Sequence, residues 1–226
     1  MKKVLFGLMS TIVLAFNGNA QGNTANNLDY VGKIHNEILS DFIKQSKGKR
    51  LSNEEVLNLV KEITLNNEDY AHHYGKEYYG LTNEQVAMGI NDFQNQFENI
   101  VNNLKICNEA KKVLNDLLNE TFKTDAKGMD YDSYYAYAVN LEEKTVGSEL
   151  PQTEKNLILS ASSVARHSAY FWTESKDAPE GKKHFGWVIG SDIVGGVLGF
   201  FFGGGVGAIS GAAGGSSLIH TINESK

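Results

Sequence analysis

Apolar residues recur every three or four positions along most of the chain, which is the period of helices that bury one face. The first such stretch carries on one face Val31, Ile34, Ile38, Leu39 and Phe42. A second stretch opens on Ser52, with Glu55 three residues later, and this pair is the capping box that marks a helix start. No stretch alternates convincingly with a period of two. We therefore predict an all-α fold.

The same pattern predicts about six helices before the C-terminal segment. They begin near residues 28, 52, 82, 106, 133 and 152, and the last continues to about residue 174. Region 66–81 is rich in Tyr and Gly and is predicted to be a turn region, and 124–132 is predicted to be a loop.

The C-terminal stretch 193–219 has 27 residues, ten of them glycine, and no charge. Six glycines recur at a strict interval of four: Gly195, Gly199, Gly203, Gly207, Gly211 and Gly215. On a helix this spacing leaves a strip almost without side chains, against which a second backbone can approach closely. We predict that this glycine zipper, with Phe200, Phe201 and Phe202, mediates helix packing or membrane contact.

Two geometries are compatible with this stretch. Ten helical glycines cost roughly 1 kcal/mol each relative to alanine, so the helix needs a partner or a bilayer. A single transmembrane helix is long enough to cross a hydrocarbon core of about 30 Å. Alternatively, the glycines at 203–205 break the helix into arms 190–202 and 206–218 that fold back as a hairpin. If the stretch crossed the membrane once after export, the basic residues before it would lie outside. This is opposite to the positive-inside tendency, so the hairpin is favoured. A core hairpin that never meets lipid remains open.

The N-terminus has the pattern of a secretory signal peptide. Lys2 and Lys3 precede an apolar stretch of 13 residues, and Ala20 supplies the small residue of a cleavage site. We predict cleavage after Ala20 and export to the periplasm, the outer membrane or the medium. The organisation predicted is a signal peptide at 1–20, a helical domain at 21–174, a hinge at 175–185, the glycine segment at 186–220 and a tail at 221–226.

The charge and the cysteine content of the chain argue against nucleic-acid binding and exclude an internal disulfide. The net charge is −6, and removal of two lysines with the signal peptide makes it −8. An acidic exported chain is a poor candidate for binding nucleic acid. Cys107 is the only cysteine, so no internal disulfide can form, and we predict that it is a small core residue.

Polar clusters offer only weak candidates for chemistry. Glu68 and His72 lie one helical turn apart, with His73 beside them, but two ligands do not make a metal site. His167 lies among serines without a G-x-S-x-G elbow, so we predict that it packs or forms hydrogen bonds. We predict no enzyme, no cofactor and no small-molecule ligand.

Stretches 29–37 (DYVGKIHNE) and 162–172 (SSVARHSAYFW), together with the glycine register, resemble a group of uncharacterised exported proteins of Bacteroidetes. The resemblance implies a signal peptide, a helical body and a glycine-rich end, and it implies no activity. The glycine stretch alone also resembles the glycine-zipper segments of small secreted bacteriocins and of envelope proteins, although the large acidic body departs from the short cationic bacteriocin pattern.

Three functional hypotheses follow. The leading one is a non-enzymatic envelope or secreted protein in which the glycine segment drives helix packing, self-association or membrane association, with a second copy or lipid as partner. The second is a secreted toxin or bacteriocin-like effector whose helical body encloses the apolar segment until delivery. The third is an envelope enzyme with its site among Tyr70, His72, His73 and Tyr74.

Overall fold

The computed structural model describes residues 22–80, 82, 93–125, 130–174 and 185–224. Within these ranges the chain forms helices and no strands. The helices are α1 (Asp29–Ser46), α2 (Asn53–Asn66), α3 (Glu68–Tyr74), α4 (Phe93–Asn103), α5 (Asn108–Asp125), α6 (Tyr131–Gly147), α7 (Gln152–Glu174) and α8 (Phe185–Glu224). The all-α prediction is therefore confirmed.

The capping box at the start of α2 is present as predicted. The Glu55 backbone N–H donates to Ser52 Oγ at 3.3 Å, and the Ser52 backbone N–H donates to the Glu55 carboxylate at 2.8 Å. These two bonds satisfy donors that have no partner within the first helical turn, so the sequence alone locates this helix start.

The turn predicted at 66–81 is wrong over residues 68–74, which form α3. The Asn67 side chain accepts a hydrogen bond from the Tyr70 backbone N–H at 2.7 Å and so caps the helix at its start. Gly75, with φ of 63°, ends the helix in a conformation that other residues rarely adopt. Two local signals thus support a helix too short for the apolar period to reveal.

Cys107 is exposed, so its predicted place in the core is wrong. A break between α4 and α5 places Cys107 immediately before α5, where its Sγ accepts a hydrogen bond from the Ala110 backbone N–H at 3.5 Å. The predicted signal peptide, the start of the helix predicted at 82, and most of the hinge lie outside the described residues.

Helix α7 is central, and nearly all its residues from Leu157 to Trp172 are buried. Around it lie two hydrophobic clusters. One combines α4, α5, α6 and α7 with the part of α8 before Gly204, and the other combines α1, α2 and α3 with the part after Gly204. The predicted glycine segment therefore shares its core with the predicted helical domain.

Helix α8 is interrupted at Gly204, which has φ of 60° and ψ of −147°. The alternative of one continuous helix through the glycine stretch is therefore wrong, and residues 185–203 and 205–224 are called the two arms of α8 below. In the part of the chain that the structure describes, no helix combines the length and the apolar character needed to cross a membrane.

Candidate functional site

Two pairs of glycines bring the arms of α8 into backbone contact. A Cβ atom placed on Gly199 would lie 1.8 Å from the carbonyl oxygen of Gly207, and one on Gly207 would lie 1.9 Å from that of Gly199. Gly195 and Gly211 face each other in the same way, with 2.2 Å in both directions. Such distances are far below any real Cβ contact, so only glycine fits at these four positions without backbone movement.

The other glycines of the four-residue register have different neighbours. A Cβ on Gly215 would approach the Ser191 carbonyl oxygen at 2.8 Å, still across the two arms. Gly203 instead faces the ring of Tyr79, and Gly205, outside the register, faces the Tyr74 hydroxyl. Five of the six register glycines therefore face the other arm, and Gly203, next to the interruption, faces the loop after α3.

The three phenylalanines before the interruption do not act as one group. Phe200 is half-buried and packs against both hydrophobic clusters. Phe201 is 40% exposed. The side chain of Phe202 lies outside the described part of the chain.

The weak metal candidates do not converge. His73 stacks on the ring of Tyr30 at 3.9 Å between centroids, and His72 meets His73 edge-on. Among the described residues no group of three His, Cys, Asp or Glu side chains could hold a metal ion, and this includes Glu68.

The tyrosines of the third hypothesis are engaged in structural hydrogen bonds. The Tyr70 hydroxyl donates to the Glu77 carbonyl oxygen at 2.6 Å, and the Tyr74 hydroxyl lies 2.9 Å from that of Tyr30. Burial raises the pKa of both Tyr70 and Tyr74 above its ordinary value. Both phenols therefore stay protonated at neutral pH and cannot act as bases there.

A buried charge network is centred on Arg166 of α7, whose side chain is fully buried. Its guanidinium pairs with Asp29 at the start of α1 and lies 3.4 Å from the carboxylate of Glu142 in α6. The Asn23 side chain donates to Glu142 at 2.6 Å. The network therefore connects three helices and the segment before α1.

The carboxylates of this network have opposite pKa shifts. Burial raises the pKa of Glu142 and outweighs the opposing charge of Arg166. For Asp29, burial acts in the same direction, but the hydrogen bond from His167, 3.1 Å away, and the charge of Arg166 together lower its pKa. Burial lowers the pKa of His167 despite its contact with Asp29, so this imidazole favours the neutral form.

A second buried polar cluster connects α1 and α7 to both arms. His35 Nε2 lies 3.6 Å from Asp192 Oδ2 on the first arm and 3.4 Å from Ser216 Oγ on the second. Ser168 of α7 donates to Asp192 as well. Because the carboxylate and the hydroxyl approach the same imidazole nitrogen, the cluster lacks the arrangement of a Ser-His-Asp relay, in which they flank the ring. The side chains of His35 and Asp192 are fully buried and have no contact with solvent. The role of the cluster in the fold is therefore to join helices.

Close approach of α1 to α7 completes this arrangement. A Cβ on Gly32 would lie 2.4 Å from the Ser163 carbonyl oxygen, and the Gly32 N–H donates to Ser163 Oγ at 3.1 Å. Stretches 29–37 and 162–172 thus pack against each other. The prediction that His167 packs and forms hydrogen bonds is confirmed.

The sequence pattern does not reveal that Asp29, Glu142, Arg166 and Asp192 belong to buried networks. One signal was available, since Arg166 lies in a helix whose other faces carry Ala, Ser and apolar residues, and so leaves no solvent-facing side. Its partners are not readable from the chain, because Glu142 is 24 positions away and Asp29 is 137 positions away.

Acid should destabilise the protein through His167. Below its ordinary pKa of 6.5, this imidazole takes up a proton in the unfolded chain while the native state, with its lowered pKa, resists protonation. The unfolded state then binds more protons, so the free energy of unfolding falls as the pH decreases. Urea unfolding at about pH 7.5 and about pH 5.5 measures this change, which one proton limits to about 1.4 kcal/mol per pH unit.

The variant His167→Gln isolates this contribution. Glu142, with its raised pKa, acts in the opposite direction, so the slope of the wild type alone is a sum of both. His167→Gln should make the destabilisation by acid smaller, and His72→Gln, at an exposed position, should leave it unchanged. An equal slope in the wild type and His167→Gln would contradict the prediction.

Comparison of the chain with protein-family models, with curated proteins and with solved structures finds no match in any of the three.

Proposed function

We propose that the protein is a non-enzymatic exported protein of the cell envelope or the medium, and that its glycine segment serves as an internal packing core. The observation that carries this proposal is the reciprocal backbone contact of Gly199 with Gly207 and of Gly195 with Gly211. In this proposal the glycine zipper is a hairpin, and its strip is occupied by the chain's own second arm instead of a second copy or lipid.

Burial of the arms supports this reading. Apolar residues of the first arm pack into the cluster with α5, α6 and α7, and those of the second arm pack into the cluster with α1 and α2. The contact between the glycines lies where the two clusters meet. Because no side chains separate the arms at this contact, both clusters can pack against α7. Larger side chains between the arms would push the clusters apart.

The pattern of residues 1–20 supports export, and the buried Ser, His and Asp side chains support a structural role over catalysis. His35, Asp192 and Ser216 lack both solvent access and relay geometry. The toxin-like alternative shares one feature with the arrangement seen here, which is that the helical body encloses the apolar arms. It differs in requiring that the arms leave the body and enter lipid.

Expression of the whole chain with its own first 20 residues in a Gram-negative bacterium tests both parts of the proposal. We expect the mass of the mature protein to show that it begins at Gln21. We also expect a carbonate wash to release it from the membranes. Leu14→Arg places a charge in the apolar stretch of the signal peptide and should keep the unprocessed chain in the cytosol.

Each result of this experiment has one meaning. Retention of the wild type in washed membranes would contradict an internal packing role and favour the membrane-active alternative. If Leu14→Arg is processed and released as the wild type is, export by the signal peptide is contradicted.

A further inference from the structure

A small cavity lies where the C-terminal end of α1 meets the end of the second arm. Its volume is 210 Å³. Its lining residues are Ser46, Lys47, Gly48, Lys49, Arg50, His220 and Thr221. Three basic residues, Lys47, Lys49 and Arg50, thus line one cavity in a chain whose net charge is −6.

These three cations differ from several other basic side chains of the protein. Lys33, Lys112 and Lys123 each pair with a carboxylate. Across the described ranges, Lys47, Lys49 and Arg50 have no side-chain hydrogen bond and no ion pair, and all three are exposed. No described carboxylate therefore forms an ion pair with any of these three side chains.

The turn after α1 holds the cations together. Gly48 has φ of 73°, and the Lys49 backbone N–H donates to the Ser46 carbonyl oxygen at 2.9 Å, which closes the turn. A Cβ on Gly48 would meet no atom within 4 Å, so this side of the turn is open to a ligand. His220, only 6% exposed, lines the inner side of the cavity.

Helix ends account for only part of this charge. The C-terminal ends of α1 and of the second arm each carry about half a negative charge, so together they offset about one nearby cation. Three full positive charges exceed what these partial charges can offset, and the excess is available to an anion. Arginine and lysine together suit an oxyanion with several oxygens, because the guanidinium binds two oxygens at once and the ammonium groups add point charges.

We propose that this cavity binds a phosphate group, either as a free phosphate or phosphomonoester or as the headgroup of an anionic phospholipid. A water molecule occupies about 30 Å³ in the liquid, so the cavity has the volume of about seven waters. This is enough for a phosphate and the first atoms of the group that carries it. The site is separate from the glycine contact and from the buried charges, so it does not depend on the proposed function above.

Calorimetric titration of the whole mature chain with sodium phosphate at low salt tests the site. We expect saturable binding of one phosphate, and at least a tenfold loss of affinity in the triple variant Lys47→Gln, Lys49→Gln, Arg50→Gln. The matched control removes three exposed charges elsewhere, in Lys105→Gln, Lys112→Gln, Lys123→Gln, and should bind as the wild type does. Circular dichroism of all three proteins confirms that they are folded.

Vesicles distinguish the two sources of phosphate. Sedimentation with phosphatidylglycerol vesicles, but not with phosphatidylcholine vesicles, and its loss in the first triple variant would assign the site to a headgroup. Binding of free phosphate without vesicle binding would assign it to a soluble ligand. Binding of neither probe, or equal binding by both triple variants, would overturn the proposal.

Discussion

Gly199→Ala should lower the free energy of unfolding by about 3 kcal/mol or more, because the new methyl group has no room. Its Cβ would lie 1.8 Å from the Gly207 carbonyl oxygen, and the obstructing atom is backbone, which cannot rotate away as a side chain does. Overpacking of a core costs about 1–3 kcal/mol even where side chains can adjust. Here the two arms must separate, so the loss should reach or exceed the upper end. Urea unfolding followed by circular dichroism measures it.

Gly196→Ala is the matched control on the same arm. A Cβ at Gly196 would lie 3.7 Å from the Ala208 carbonyl oxygen and 3.9 Å from Ala212 Cβ, which are ordinary contacts. Because alanine is favoured over glycine in a helix by about 1 kcal/mol, this variant should be as stable as the wild type or more stable. Similar stability of Gly199→Ala and Gly196→Ala would show that the arms do not touch as described.

A second substitution tests whether one contact is responsible. Gly207→Ala should destabilise the protein about as much as Gly199→Ala, because each methyl group meets the other glycine's carbonyl oxygen. Their combination should cost less than the sum of both, since the arms need to separate only once. Additive losses would indicate two unrelated effects.

Arg166→Met should cost about 3–5 kcal/mol, which is the loss typical when one partner of a buried ion pair is removed. The Glu142 carboxylate, fully buried, would lose its cationic partner and keep only the hydrogen bonds from neighbouring amides. Methionine preserves most of the volume of the arginine stem, so the loss reports charge more than packing. Denaturant unfolding at neutral pH measures the difference.

Two further variants separate the charge effect from general damage to α7. Glu142→Gln removes the second charge but keeps an oxygen that can accept from Asn23, so the double variant with Arg166→Met should be more stable than Arg166→Met alone. Lys112→Met breaks an exposed pair with Asp116 and should cost less than about 1 kcal/mol. Equal losses for Arg166→Met and the double variant would show that the buried charge is not the cause.

Local chemistry in the sequence accounts for most of the secondary structure. The apolar period of three and four predicts α1, α2 and α7, and the capping box at Ser52 locates the start of α2. The apolar period and the capping box both depend on residues within one or two turns of helix. Helix α3 was not predicted, because it is short and its only start signal is the asparagine cap.

The close contact between the two arms depends on more than the spacing of the glycines. A four-residue glycine register predicts a strip for close packing, but it does not say which glycine meets a backbone and which meets an aromatic ring. Gly199 faces Gly207, whereas Gly203, in the same register, faces Tyr79. The difference arises because the arms diverge from a fixed point at Gly204, and residues next to that point face the neighbouring loop.

The sequence by itself determined the helical period, the capping signals, the signal-peptide pattern and the glycine spacing, since each is a pattern within one continuous stretch of the chain. Only the tertiary structure decided that Arg166 meets Asp29 and Glu142, that His35 joins both arms of α8, and that Cys107 is exposed. The contacts of Arg166 and of His35 join residues far apart in the chain. Their geometry follows from how whole helices pack, and no local pattern contains that information.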